Sequence, residues 1–298
     1  MGEALVPVAK ILEATGLDRE VVRKWEVRYG FPNPQRDAHG DRVYPPDQVT
    51  SLQLIRRLLD AGMRPSKVVG LAPQALEQMV RALSPEVPVM TETFADAMTA
   101  LYCHDPQTLA AHLRRQLHRQ GLFHFVRDTI APLTIYIGEA WLRGEVRVFE
   151  EHQYAKVVAD ILQTSIHAIA QPGEKPRILL ATLPGERHVL GLTMAEAVLA
   201  LSRASCINLG AQVPLSELIE AAKAFDVDAV GVSFSIAHPV RETVAALQEL
   251  RAGLESNQLI WAGGGGMERV RRIKGVTAFR NLDELNKAAA KLRGQCNP

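Results

Sequence analysis

The feature that most constrains this chain is a change of period near residue 177. From there RILLATL (177–183), CINLGA (206–211), AVGVSFS (229–235) and LIWAGGGG (259–266) form short apolar or β-branched runs, and amphipathic segments of helical length separate them. Strands alternating with helices predict a parallel, doubly wound sheet, because parallel neighbours need crossover connections and the crossing helices cover both faces. In such a sheet, ligands sit in the crevice beyond the carboxyl ends of the strands. Residues 173–298 are therefore expected to form a Rossmann-like α/β domain.

The rest of the chain follows helical rules. VAKILEATG (8–16) ends at a glycine, and LDREVVRKWEVRYG (17–30) offers Asp18 as a cap and Gly30 as a stop. FPNPQRDAHGDRVYPPDQ (31–48) is rich in turn residues around one β-prone piece and reads as a hairpin, after which Asp47 can cap a helix carrying Val49, Leu52, Leu54, Ile55, Leu58 and Leu59. A helix-turn-helix followed by a hairpin wing is a recurrent DNA-binding plan. Residues 1–75 are assigned to it, and 76–92, with prolines and a weakly amphipathic stretch, to a linker with some helix. From 93 to 172 the pattern is helical, with Gly121, Pro132 and Gly144 as breaks, which predicts a four-helix bundle. QPGEKP (171–176) reads as a second linker.

A chain of 298 residues exceeds the usual size of a single core, and 47% hydrophobic against 22% charged residues supplies enough apolar surface for packed domains throughout. No run approaches the roughly 18 apolar residues of a membrane span, and MGEALVPVAK lacks the features of a signal peptide, so no membrane partner and a cytoplasmic location are expected. Cys103, Cys206 and Cys296 are odd in number and widely spread, against a disulfide framework or a zinc site. With 34 basic and 33 acidic residues the net charge is +1, so DNA binding must come from a local patch. Arg19, Arg23, Lys24, Arg28, Arg36 and Arg42 make such a patch, with Tyr29 at the end of the second helix; Trp25 reads as core. Its excess of charge is modest, so several copies would have to act together.

Glu186, His188 and Gly191 form Glu-x-His-x-x-Gly where the first strand gives way to a helix. A histidine at the crevice edge can ligate a metal through one ring nitrogen while a carboxylate fixes the other, and glycine lets a flat ligand approach the backbone. The pattern alone equally fits a histidine that caps a loop. It resembles the cobalamin-binding motif of base-off, histidine-on domains, in which aspartate often stands at the place of Glu186. The resemblance extends to Ser233 and Ser235 at the third strand end and to Gly263 and Gly264 at the fourth, which in that family line a groove for the nucleotide tail. Ser235 departs from the family's Leu or Thr.

In the helical segment Trp141, Glu151 and His152 form Trp-x9-Glu-His, with Val148 between them. This resembles the cap of the cobalamin-dependent photoreceptor repressors of the CarH/LitR group of the MerR family, and VVRKWEVRYGFPNPQRDAHGDRVY resembles a MerR winged helix. The resemblance implies a light-responsive transcription regulator, not an enzyme, with adenosylcobalamin as chromophore and methylcobalamin as the alternative. It implies His188 as lower cobalt ligand, Trp141 and Val148 over the upper face, Glu151 against the adenosyl group, and His152 as upper ligand after light. The implied partners are operator DNA and further copies of the chain, a dimer of dimers in the dark. A regulator sensing cobalamin or redox state without light is the alternative, and a corrinoid methyltransferase component a more distant one.

Overall fold

The computed structural model describes residues 5–296 apart from 16, 38, 61, 84–90, 171, 172, 174 and 237, and the chain divides after Glu86 into two compact units. The linker expected at 76–92 lies partly, and that at 171–176 partly, outside the described residues.

In the first unit, β1 (Val6–Pro7), α1 (Val8–Thr15) and α2 (Arg19–Tyr29) precede β2 (Gln35–Arg36) and β3 (Arg42–Tyr44). Then come α3 (Pro46–Asp60), α4 (Pro65–Val68) and α5 (Pro73–Leu83). The expected wing hairpin is present, and β1 joins it to make an antiparallel sheet in the order β1-β3-β2. Ile11, Trp25, Tyr44, Leu52, Ile55 and Leu58 are buried, so Trp25 is core as its apolar spacing implies.

Four local expectations are corrected. Asp18 occupies the N-cap of α2, but only its carbonyl serves there, accepting from Val21 and Val22; its side chain makes no capping bond. Asp47 lies inside the first turn of α3, because Pro46 starts the helix one residue earlier. Residues 73–83, given in part to the linker, are the helix α5, which packs on α3 through buried Leu76 and Val80. Pro132 is no break: a π-helical turn (Phe125–Ile130) precedes it, and the wider turn accommodates the ring and its missing donor.

The second unit opens with α6 (Glu92–Tyr102), α7 (Pro106–Gln120), α8 (Leu122–His124) leading through the π turn into α9 (Ala131–Arg143), and α10 (Val148–Ile169). Because α8, the π turn and α9 run on as one rod, this is a bundle of four helices. Thr91 and Asp105 cap α6 and α7 through side-chain oxygens, and Gly144 closes α9 in a left-handed conformation.

There follow β4 (Arg177–Ala181), α11 (Leu190–Leu201), β5 (Ser205–Asn208), α12 (Leu215–Ala224) and β6 (Ala229–Ser233). The fold ends with α13 (Val240–Gly253), β7 (Leu259–Gly263), β8 (Thr277–Ala278) and α14 (Leu282–Cys296). All five strands are parallel, in the order β5-β4-β6-β7-β8. The order reverses between β4 and β6, so the crevice lies at their carboxyl ends.

Strand alternation divides the core. Ile178 and Leu180 of β4 face one way with Ala229 and Trp261, joining α11, α14 and the bundle in one hydrophobic cluster. Leu179 and Ala181 face the other way, towards α12 and α13. Between bundle and sheet, α11 is apolar nearly all round, the signature of a helix covered on both sides. Its buried Glu196 accepts from Asn208 of β5 (2.6 Å) and Gln163 of α10 (3.4 Å), and Arg127 pairs with Asp283 at 3.1 Å. Among the described residues no helix is long and apolar enough to cross a membrane.

Candidate functional site

The switch point is organised by one carboxylate. Glu186, 1% exposed, accepts from the His188 backbone N–H (2.8 Å) and the His188 ring Nδ1 (2.7 Å) through Oε1, and from the Ser235 backbone N–H (2.6 Å) through Oε2. Burial alone would push this carboxyl up, but the bonds from His188 and Ser235 outweigh it and hold it near 2. An ionised carboxylate can only accept, so Nδ1 carries a proton, and in the neutral ring it is then Nε2 that holds the lone pair with which imidazole binds a metal. The His188 side chain is 64% exposed, and its ring projects from the groove edge.

Thr182, at the end of β4, fixes the loop beneath. Its hydroxyl donates to the Glu186 carbonyl (2.7 Å) and accepts from Gln212 N–H (3.0 Å), while its own N–H donates to Gly210. His238 ties the opposite wall: its ring lies against Phe234 and bonds Thr243 Oγ1 at 2.8 Å. Sequence reading missed both residues. Thr182 lies within the predicted run RILLATL and was legible, standing just past the end of β4; His238 lies far along the chain and only tertiary packing brings it near.

The remaining strand-end residues line a groove. Ser233 pairs with Gly263 in the β6–β7 ladder, and a Cβ on Gly191 would stand 3.0 Å from Ser233 Oγ, so the glycine permits that approach. A Cβ on Gly263 would meet nothing within 4 Å, whereas one on Gly264, at φ +90°, would strike the Phe234 carbonyl at 2.3 Å. Ser235 Oγ is buried without a hydrogen-bond partner. Val189, Leu209 and Ile236, which follow β4, β5 and β6, are exposed apolar side chains. An orphaned hydroxyl, an open glycine and apolar strand ends fit a bulky ligand with an apolar body and a polar tail, as a corrinoid has.

On the bundle, the other candidates gather at the corner between α9 and α10. Trp141 packs partly buried against the shared core, and Val148 is half exposed at the start of α10. One turn on, His152 Nδ1 lies 2.5 Å from Glu151 Oε2, with the histidine side chain 74% exposed. The corner is held by Glu150, which is buried, accepts from Arg147 N–H (2.7 Å) and bonds His104 Nε2 at 3.0 Å.

In the first unit Arg19, Arg23, Lys24 and Arg28 are exposed on α2, with the Arg28 guanidinium 5.4 Å from the centre of the half-buried Tyr29 ring. The wing arginines are engaged within the fold. Arg36 Nη1 donates to the Gly40 carbonyl (2.5 Å), and Arg42 Nε lies 3.6 Å from Glu26, which also accepts from Tyr44 (2.6 Å). Glu26 thus ties wing to helix, and burial together with this bond pushes the Tyr44 hydroxyl up.

Comparison with known proteins agrees with this geometry. Residues 176–274 match the B12 binding domain and residues 7–75 the MerR HTH family of regulatory proteins. A MerR-type DNA-binding domain and a B12 binding domain on one chain define a cobalamin-binding transcription regulator, not an enzyme. The chain has the build of the CarH-type regulators. It is 29% identical to the HTH-type transcriptional repressor CarH of Myxococcus xanthus over 89% of this chain and 90% of that protein. It is 24% identical to the HTH-type transcriptional repressor CarA of the same organism, over 89% of each. Among solved structures, the Methanosarcina barkeri monomethylamine corrinoid protein shares the fold, with a TM-score of 0.52 and 14% identity over 67% of this chain and 98% of that one.

The Glu186 carboxyl titrates near 4.5 when unfolded and near 2 when folded. The stabilisation it brings, on the order of 3 kcal/mol, is complete above 4.5 and drains away as pH falls towards 2. The gap in urea midpoint between the chain and Glu186→Gln is expected to narrow from about pH 5 to about pH 3. A gap independent of pH would show that the carboxylate charge is not what the loop uses.

Proposed function

We infer that the chain is a light-responsive transcriptional repressor with adenosylcobalamin as chromophore. The observation that carries this reading is the presence of two exposed imidazoles in one compact unit, His188 on the sheet and His152 on the bundle, each held at Nδ1 by an adjoining carboxylate. When bound, the cofactor supplies a cobalt–carbon bond that green or shorter-wavelength light can break.

His188, oriented by Glu186, serves as the lower ligand, while Ser233, Ser235, Gly263 and Gly264 receive the nucleotide tail. Gly191 lets the corrin lie close to the backbone. Trp141 and Val148 cover the upper face, and Glu151 contacts the adenosyl group. After light Glu151 would no longer hold that group, the α9–α10 corner would be free to shift, and His152 would offer the cofactor a second imidazole. The dark state is a dimer of dimers that presents several copies of α2 to operator DNA, through Arg19, Arg23, Lys24, Arg28 and Tyr29, with Arg36 and Arg42 of the wing beside the flanking phosphates. Avidity then lets a nearly neutral chain hold DNA, and disassembly releases it. The work is done in the cytoplasm.

The test is size-exclusion elution of the chain loaded with adenosylcobalamin, dark or after green light. A large dark species that collapses on illumination, and that binds DNA only before it, supports the switch. An unchanged profile would replace it with light-independent cobalamin sensing. His152→Ala is expected to assemble normally in the dark and to yield a less stable illuminated adduct, followed by absorbance; loss of dark assembly would make His152 a primary ligand.

A further inference from the structure

The outward face of α2 carries one residue that the fold does not explain. Val27 is 84% exposed, the highest value among the exposed large hydrophobics of the described residues. Glu20, Arg23, Lys24, Val27 and Arg28 recur at steps of three and four and are all exposed, whereas Val22 and Trp25 on the opposite face fill the core. Val27 therefore sits within a basic stripe and packs on nothing beneath. Nor does it favour the helix, because a β-branched side chain loses rotamer freedom there. Long cationic neighbours often cover such a side chain, yet Arg28 is drawn over the Tyr29 ring and Val27 stays bare.

Resting on the DNA-binding reading, we propose that Val27 is a specificity-determining residue that meets the 5-methyl group of a thymine in the major groove. Thymine alone presents a methyl there, and apolar side chains are its usual partners. The surrounding cations fit this occupant: Arg23 and Lys24 supply the phosphate or guanine contacts that seat a helix in the groove, and they carry no information about a methyl group. The second helix of a helix-turn-helix is also the one that enters the groove.

The full chain, loaded with adenosylcobalamin and kept dark, selects duplexes from a randomised pool. Each thymine of a selected duplex is then replaced in turn by deoxyuridine, which keeps the pairing and removes only the methyl. Binding is expected to weaken about fourfold at one thymine per half-site, the transfer value of one buried methyl. Val27→Ser, at a position too exposed to affect folding, is expected to abolish the difference between thymine and uracil there and nowhere else. Arg23→Ala should weaken both duplexes alike. If no thymine is sensitive, or if the sensitivity survives Val27→Ser, the assignment is wrong. A chain that selects no duplex at all would overturn the DNA-binding reading itself, and this proposal with it.

Discussion

His188→Ala is expected to lose cobalamin, with affinity reduced by at least about 100-fold, because even groups that merely orient a ligand are worth 10- to 100-fold in metal binding. The physical reason lies in Glu186. Its carboxylate spends two of its three bonds on His188 and the third on Ser235, so the ring is held in one tautomer and one direction before any ligand arrives. Removing the ring discards that preorganisation together with the donor nitrogen. The side chain is largely exposed, so the variant should fold; an unchanged far-ultraviolet circular dichroism spectrum would show it. Absorbance titration with adenosylcobalamin measures the loss, and cofactor-driven assembly should vanish with it. Unaltered retention would remove His188 from the role of lower ligand.

Two neighbouring glycines should separate stability from binding. Gly264→Val places a β-branched side chain at φ +90° with its Cβ against the Phe234 carbonyl. Strain and collision together are expected to cost roughly 3 kcal/mol or more, read as a shift in urea midpoint. Because Phe234 lies between Ser233 and Ser235, the groove wall moves and cobalamin binding falls as well. Gly263→Ala meets no atom within 4 Å. It should leave stability within about 0.5 kcal/mol and still weaken cobalamin binding, because the methyl fills open groove. Equal stability losses in both variants would show that the open space beside Gly263 is only apparent.

The α/β half was readable in the sequence because β4, β6 and β7 are buried on both faces and appear as unbroken apolar runs. The two-residue strands β1 and β8 were not, since their pairing with β3 and β7 leaves no period to detect. Asp18 and Asp47 show the limit of residue-type rules: Asp stands near each helix start, yet in one case the carbonyl alone serves and in the other proline has already begun the turn. Glu186, His188 and Gly191 were legible because they lie within six residues. That Glu186 also grips the backbone of Ser235, 49 residues on, follows only from β4 and β6 lying side by side. The wing arginines were read as part of the basic patch, and their bonds to the Gly40 carbonyl and Glu26 are visible only once the hairpin closes.

The position of α11 has a mechanical meaning. It begins two residues after His188 and runs for twelve residues, about 18 Å, with the sheet on one side and α10 on the other. A rod clamped between two layers has no slack: it cannot tilt without repacking one of them, and close-packed interiors answer such a load by jumping between arrangements, not by bending smoothly. The helix that starts at the histidine is thus also the bearing on which the bundle rests, and a tug at one end is felt along its length.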